Sequence, residues 1–138
     1  MNSYKLHRYT DQEEVARATA TLISSNINSA LEIKNRVQIA LSGGSTPAKV
    51  YSLLGDIDLP WERVDIILGD ERWVDPSDES SNSLMIRNTL LSKKFGIKAN
   101  FYPVPTLEMG TPKKSARSFC EILEKICTKE PPSLDFIL

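Results

Sequence analysis

What most constrains the fold of this chain is an alternation: short apolar runs stop at polar loops, and stretches of helical periodicity lie between them. Val37-Gln38-Ile39-Ala40-Leu41 and Val64-Asp65-Ile66-Ile67-Leu68 read as strands. Tyr4 to Tyr9 reads as a short first strand, Asn100 to Val104 as another, and Leu134 to Leu138 as the last. A helix is predicted from Asp11 to Ile33, with Thr10 as its N-cap and Glu13 reaching back to complete a capping box. Its apolar positions are Val15, Ala18, Leu22, Ile23, Ile27, Ala30 and Leu31. A short helix follows Pro47, carries Val50, Leu53 and Leu54, and stops at Gly55. A third runs from Asn82 to Lys93 behind Ser81 as N-cap, and a fourth from Lys113 to Lys129, ended by Pro131-Pro132. Strands alternating with helices imply an α/β fold: a mainly parallel, Rossmann-like sheet with helices on both faces. Residues 1–138 read as a single domain. The last strand ends at Leu138, where a parallel sheet would place a functional loop, so the fold reads as incomplete. Its unpaired edge is open to self-association.

Charge removes several function classes. Seventeen Lys and Arg face 18 Asp and Glu, a net charge of -1, and no basic stripe exists to neutralise nucleic-acid phosphates. No stretch reaches the roughly 18 apolar residues of a membrane span, and the N-terminus has no apolar signal core. Cys120 and Cys127 lie two helical turns apart, about 10 Å, too far for a disulfide. Free thiols and no export signal point to the cytoplasm. Both cysteines read as buried core thiols. His7 is the only histidine and reads as structural or surface; with no metal-spaced Cys or His pair, no metal site is expected.

Three segments carry chemistry. In Ser42-Gly43-Gly44-Ser45-Thr46-Pro47, two glycines let backbone amides approach an anion, and Pro47 suits a first helical turn. The N–H groups and dipole of the following helix favour a phosphate. The pattern is neither a dinucleotide fingerprint nor a P-loop, so no nucleotide cofactor is indicated. The alternative is a tight structural turn. Gly69-Asp70-Glu71-Arg72-Trp73-Val74 follows a strand, where Arg72 can grip a phosphate or carboxylate and an acid can orient a base or a sugar hydroxyl. The alternative is a self-satisfied surface ion pair, with Trp73 as packing. Ser81 is read as a helix cap, and Asn82 as orienting a ligand or the preceding loop.

These segments, in this order and spacing and with the closing Leu134-Asp135-Phe136-Ile137-Leu138, resemble the 6-phosphogluconolactonase family over the whole chain from Tyr4 to Leu138. The resemblance implies a cytoplasmic pentose phosphate pathway hydrolase. It would open 6-phospho-D-glucono-1,5-lactone to 6-phosphogluconate without metal or cofactor, on a fold shared with glucosamine-6-phosphate deaminase. It assigns the substrate phosphate to Gly43, Gly44, Ser45 and Thr46, and places Asp70, Arg72 and Asn82 in the same cleft. Two departures stand out. Asp75 occupies the position where the family usually has Pro. The family's Gly-His-Thr element, whose histidine is the expected general base, would lie beyond Leu138, and His7 does not match it. The resemblance thus implies the N-terminal portion of such an enzyme, with weak or no activity by itself. Two other readings stay open: a deaminase-like sugar-phosphate isomerase, and a non-catalytic sugar-phosphate binding module.

Overall fold

A computed structural model describes residues 4–127 and 133–138. Four parallel strands form one sheet: β1 (Val37–Leu41), β2 (Val64–Leu68), β3 (Asn100–Tyr102) and β4 (Phe136–Ile137), in the order β3-β2-β1-β4. The registers pair Val37 with Val64, Asp65 with Asn100 and Ile39 with Phe136. Four α-helices intervene: α1 (Gln12–Ile33), α2 (Ser45–Leu54), α3 (Asn82–Thr89) and α4 (Pro112–Ile126). The expected α/β architecture is the observed one. All five residues of β1 and all five of β2 are buried, so both faces of the central sheet are covered. Near-continuous apolar runs are what a doubly covered parallel sheet requires.

Several local expectations are corrected. Tyr4 to Tyr9 forms no strand; these residues pair with no strand and are exposed, with Tyr4 at 91% and Leu6 at 66%. Six alternating residues with no partner ladder cannot make a sheet. Helix α1 begins one residue later than predicted, because Asp11 is the N-cap and accepts from the Glu14 N–H at 2.8 Å. Glu14, not Glu13, reaches back, taking both the N–H (2.9 Å) and the hydroxyl (2.8 Å) of Thr10. The buried stripe of α1 is Ala16, Ala20, Ile23, Ile27 and Leu31, while Val15 and Leu22 face outward. Helix α3 ends at Thr89 rather than Lys93, and β3 at Tyr102 rather than Val104. Cys127 is buried, but Cys120 is exposed, against the expectation for it; both are free thiols. Helix α4 ends at Ile126, short of the predicted Lys129, because Cys127 is already extended and serves as its C-cap; Lys129 and the Pro131-Pro132 stop lie outside the described residues.

The main core joins α1, α2, β1 and β2 around Ile23, Ile39, Tyr51, Leu54, Trp61 and Ile66, all fully buried. Each such side chain contributes about 1.5–3 kcal/mol on removal from water. The amino ends of the strands are closed by polar groups satisfying one another. Arg36 grips buried Asp65 with Nε (3.1 Å) and Nη2, and Gln38 Nε2 donates to the same carboxylate at 3.0 Å. Asp135 accepts from the Gln38 N–H (3.0 Å) and from Lys34 Nζ (2.6 Å), which fastens β4 beside β1.

Candidate functional site

The carboxyl ends of β1 and β2 are built differently from their amino ends. The chain leaves β1 through Ser42, whose N–H donates to Tyr51 Oη (3.0 Å) while that hydroxyl donates back to the Ser42 carbonyl (2.9 Å). The Tyr51 ring is fully buried, so α2 clamps the entrance to its own preceding turn. Burial pushes the Tyr51 phenol above its usual pKa, which keeps it a neutral donor.

Gly44 has φ +116°, a conformation only glycine adopts without strain, and it is the N-cap of α2. It brings no side chain to the helix start, so no side-chain cap meets the first-turn N–H groups of Ser45 and Thr46. Ser45 and Thr46 are exposed. Gly43 is required for another reason: a Cβ there would overlap the side-chain amide of Asn82.

Asn82 joins the two loops. It is 5% exposed, and its Nδ2 donates to the Asp70 carbonyl (3.1 Å) and to Asp70 Oδ1 (3.3 Å). Of the two roles expected for it, the observed contact is with the preceding loop. Ser81 caps α3 as expected, accepting from the Leu84 N–H at 3.2 Å. Glu71 is the residue that sequence reasoning undervalued. Its carboxylate accepts the N–H groups of Asn82 (2.7 Å), Ser83 (2.8 Å) and Arg72 (2.8 Å), and the Ser81 hydroxyl (3.3 Å). Burial pushes its pKa up, but the Ser83 side chain and the three N–H groups outweigh that and hold it below the ordinary glutamate value. The Ser83 hydroxyl acts through proximity; it makes no aligned hydrogen bond. Nothing in the order Asp-Glu-Arg says which acid turns inward. A hint lay in the spacing: an acid on a loop that returns to a helix start ten residues on can fill its anion position.

Asp70 and Arg72, flanking Glu71, are both exposed. Among the described residues Arg72 makes no ion pair, so the self-satisfied alternative does not describe it. A groove of about 270 Å³ is lined by Gly44, Ser45, Arg72, Glu79, Ser81 and Asn82. Arg72 also borders a second groove, of about 320 Å³, with Asp70, Trp73 and Phe119 of α4. The structure thus brings Gly43, Gly44, Ser45, Asp70, Arg72 and Asn82 to one end of the sheet, with Thr46 one residue further along α2. His7 lies elsewhere, stacked on Tyr9 with ring centroids 6.5 Å apart, in a groove against Thr19 and Leu22 of α1. Asp75 starts a turn, accepting from the N–H (2.9 Å) and hydroxyl (2.6 Å) of Ser77, and those bonds hold its pKa below the usual carboxylate value. Among the described residues, no three His, Cys, Asp or Glu side chains come together to hold a metal ion, and no helix is long and apolar enough to cross a membrane.

A parallel α/β sheet whose carboxyl ends carry an uncapped helix start beside an unpaired arginine belongs to the class of α/β folds that offer an anion a place at the strand ends. The chain belongs to the family described as glucosamine-6-phosphate isomerases/6-phosphogluconolactonase, whose model matches residues 10–138. A 6-phosphogluconolactonase from Nostoc is 34% identical over 131 residues, covering 93% of this chain and 54% of the relative. One from Caulobacter vibrioides is 35% identical over 100 residues, covering 72% and 43%. Among solved structures, a 6-phosphogluconolactonase from Shewanella baltica superposes with a TM-score of 0.72 at 27% identity, covering 80% of this chain and 48% of that one. The enzyme from Trypanosoma cruzi gives 0.77 at 25% identity, covering 94% and 55%. The chain therefore spans about half the length of the relatives it matches.

Proposed function

We propose that this chain supplies the phosphate-binding part of a site for 6-phosphogluconolactone and its hydrolysis product. The observation that carries this reading is the start of α2: a glycine N-cap with no side-chain cap, at the carboxyl end of β1 and beside Arg72. Backbone N–H groups of Ser45 and Thr46, their hydroxyls and the helix dipole hold the phosphate, and Arg72 adds a fixed charge. Gly43 and Gly44 let the backbone approach. Asp70, fixed by Asn82, faces the sugar end, where a carboxylate accepts hydroxyl protons. The proton transfer of lactone opening is assigned to no residue of these 138; His7 is remote from the cleft. Every relative named above is a 6-phosphogluconolactonase, which favours the lactone over an amino-sugar phosphate.

Titration of the purified chain with 6-phosphogluconate tests the reading. Saturable binding lost on Arg72→Ala is expected, with little or no lactone hydrolysis. Ammonia release from glucosamine 6-phosphate would instead select the isomerase side of the family, and no binding of either sugar phosphate would overturn the assignment. A cytoplasmic setting goes with this chemistry. Association through the β4 edge, where Ile137 is 70% exposed, is inferred separately, from the unpaired strand edge; a monomer at all concentrations in sedimentation would remove it.

A further inference from the structure

The phosphate reading leaves a charge deficit. A phosphate monoester carries about -1.5 to -2 near neutral pH, and Arg72 is the one cation the two grooves beside Asn82 and Asp70 supply among the described residues. A third groove opens on the other side of the α2 start. It holds about 400 Å³ between α1 and α2, and is lined by Gln12, Val15, Ser45, Thr46 and Lys49. Ser45 borders both this groove and the one containing Arg72.

Lys49 lies one helical turn after Ser45. Helical side chains lean back toward the N-terminus, so residues at i and i+4 share a face. The Lys49 side chain therefore runs toward the uncapped first turn. Its ammonium is 2.5 Å from Glu13 on α1, and both side chains are largely exposed, at 51% and 41%. Glu13 also takes Arg17 at 3.0 Å. The hydrogen bond and charge of Lys49, with a smaller contribution from Arg17, hold the Glu13 carboxyl below its usual pKa. An exposed pair of this kind is weak, and Glu13 keeps Arg17 as a partner when Lys49 moves away.

We propose that Lys49 is a second cationic contact for the phosphate at the α2 start, and that Glu13 competes with the phosphate for it. This rests on the phosphate reading above and adds a binding residue that the Gly43–Thr46 turn does not contain. It makes three substitutions act in a fixed pattern. Lys49→Met weakens binding. Glu13→Gln strengthens it by freeing the ammonium. The double variant matches Lys49→Met, because Glu13 acts only through Lys49.

The test is calorimetric titration of the full chain with 6-phosphogluconate, and with gluconate as a probe lacking the phosphate. For 6-phosphogluconate, Lys49→Met should raise Kd about fivefold and flatten its salt dependence, and Glu13→Gln should lower Kd about twofold. Lys49→Arg should retain most of the affinity. The gluconate response should be the same in all variants. If Lys49→Met binds like the unsubstituted chain while Ser45→Ala loses affinity, the Lys49 contact is overturned and the phosphate turn stands. Equal losses for Glu13→Gln and Lys49→Met would overturn the competition and leave an ion pair that only braces α1 against α2. If the unsubstituted chain binds no 6-phosphogluconate, both are overturned.

Discussion

Helices α2 and α3 open onto one groove, yet they begin in opposite ways. The start of α3 is filled from within: Ser81 caps it, and the Glu71 carboxylate accepts the N–H groups of Asn82 and Ser83. The start of α2 has a glycine N-cap and no side-chain cap. An N-terminal turn is an anion position in both cases. One is occupied by the protein's own carboxylate, which turns it into structure. The other faces outward, which suits it to a ligand. Substitutions at α3 should therefore cost stability first, and substitutions at α2 should cost affinity first.

The largest effect is expected at Glu71. Glu71→Ala removes an acceptor for three N–H groups and a hydroxyl, and hydrogen bonds to charged groups are each worth about 1.5–3 kcal/mol. A net loss of about 3 kcal/mol in urea denaturation is expected, since water replaces part of what is lost. A loss under about 0.5 kcal/mol, the size of an ordinary surface substitution, would break the comparison at its filled end. The same carboxylate gives a pH signature. Its folded pKa lies below the unfolded value, so the unfolded chain binds more protons in that window. The stability it gives is complete above the ordinary glutamate value of 4.5 and is lost as pH falls through the folded value. Glu71→Gln should therefore flatten the acid side of the stability profile and leave its neutral and alkaline shape unchanged.

Next comes Gly43→Ala, where the two helix starts meet. The new methyl would overlap Asn82, which is 5% exposed and tied to Asp70. Overpacking costs about 1–3 kcal/mol, and about 2 kcal/mol is expected here. The double variant Gly43→Ala/Asn82→Ala should recover part of it, since the clash is then gone. No recovery would mean that the glycine serves the turn itself rather than its neighbour.

The alternation of strand and helix was legible because β1 and β2 are buried on both faces and so are apolar except at Gln38 and Asp65, which satisfy each other. The Gly43–Thr46 turn was legible because Gly44 needs its positive φ and Pro47 marks a helix start. Tyr4 to Tyr9 misled because alternation reports a local pattern, while a strand needs a partner. In α1 the core positions Ile23, Ile27 and Leu31 were legible, but Ala16 and Ala20 were passed over because Val15 and Leu22 outweigh such small side chains in a hydrophobicity reading. Glu71 stayed hidden for a related reason. Its role depends on a loop that returns the chain to α3, and flanking residues do not encode that path. Nothing in the sequence singled out Tyr51, since only the fold brings its hydroxyl to Ser42.

The smallest stability effect, and the most telling one, is expected at the start of α2. The Ser45 side chain caps no helix, so Ser45→Ala removes no side-chain bond that the fold uses. The change should stay within about 0.5 kcal/mol, the ordinary range for surface substitutions. Its affinity for 6-phosphogluconate should nevertheless fall about fivefold, the worth of one hydrogen bond of about 1 kcal/mol. Paired denaturation and titration measurements on Ser45→Ala and Glu71→Ala then separate the two helix starts. The first should move only affinity. The second should move stability most, and affinity through the displaced Asn82 and Arg72. A Ser45→Ala variant that loses stability as Glu71→Ala does would show that the α2 start is structural too, and would return the Gly43–Thr46 turn to the reading of a plain tight turn.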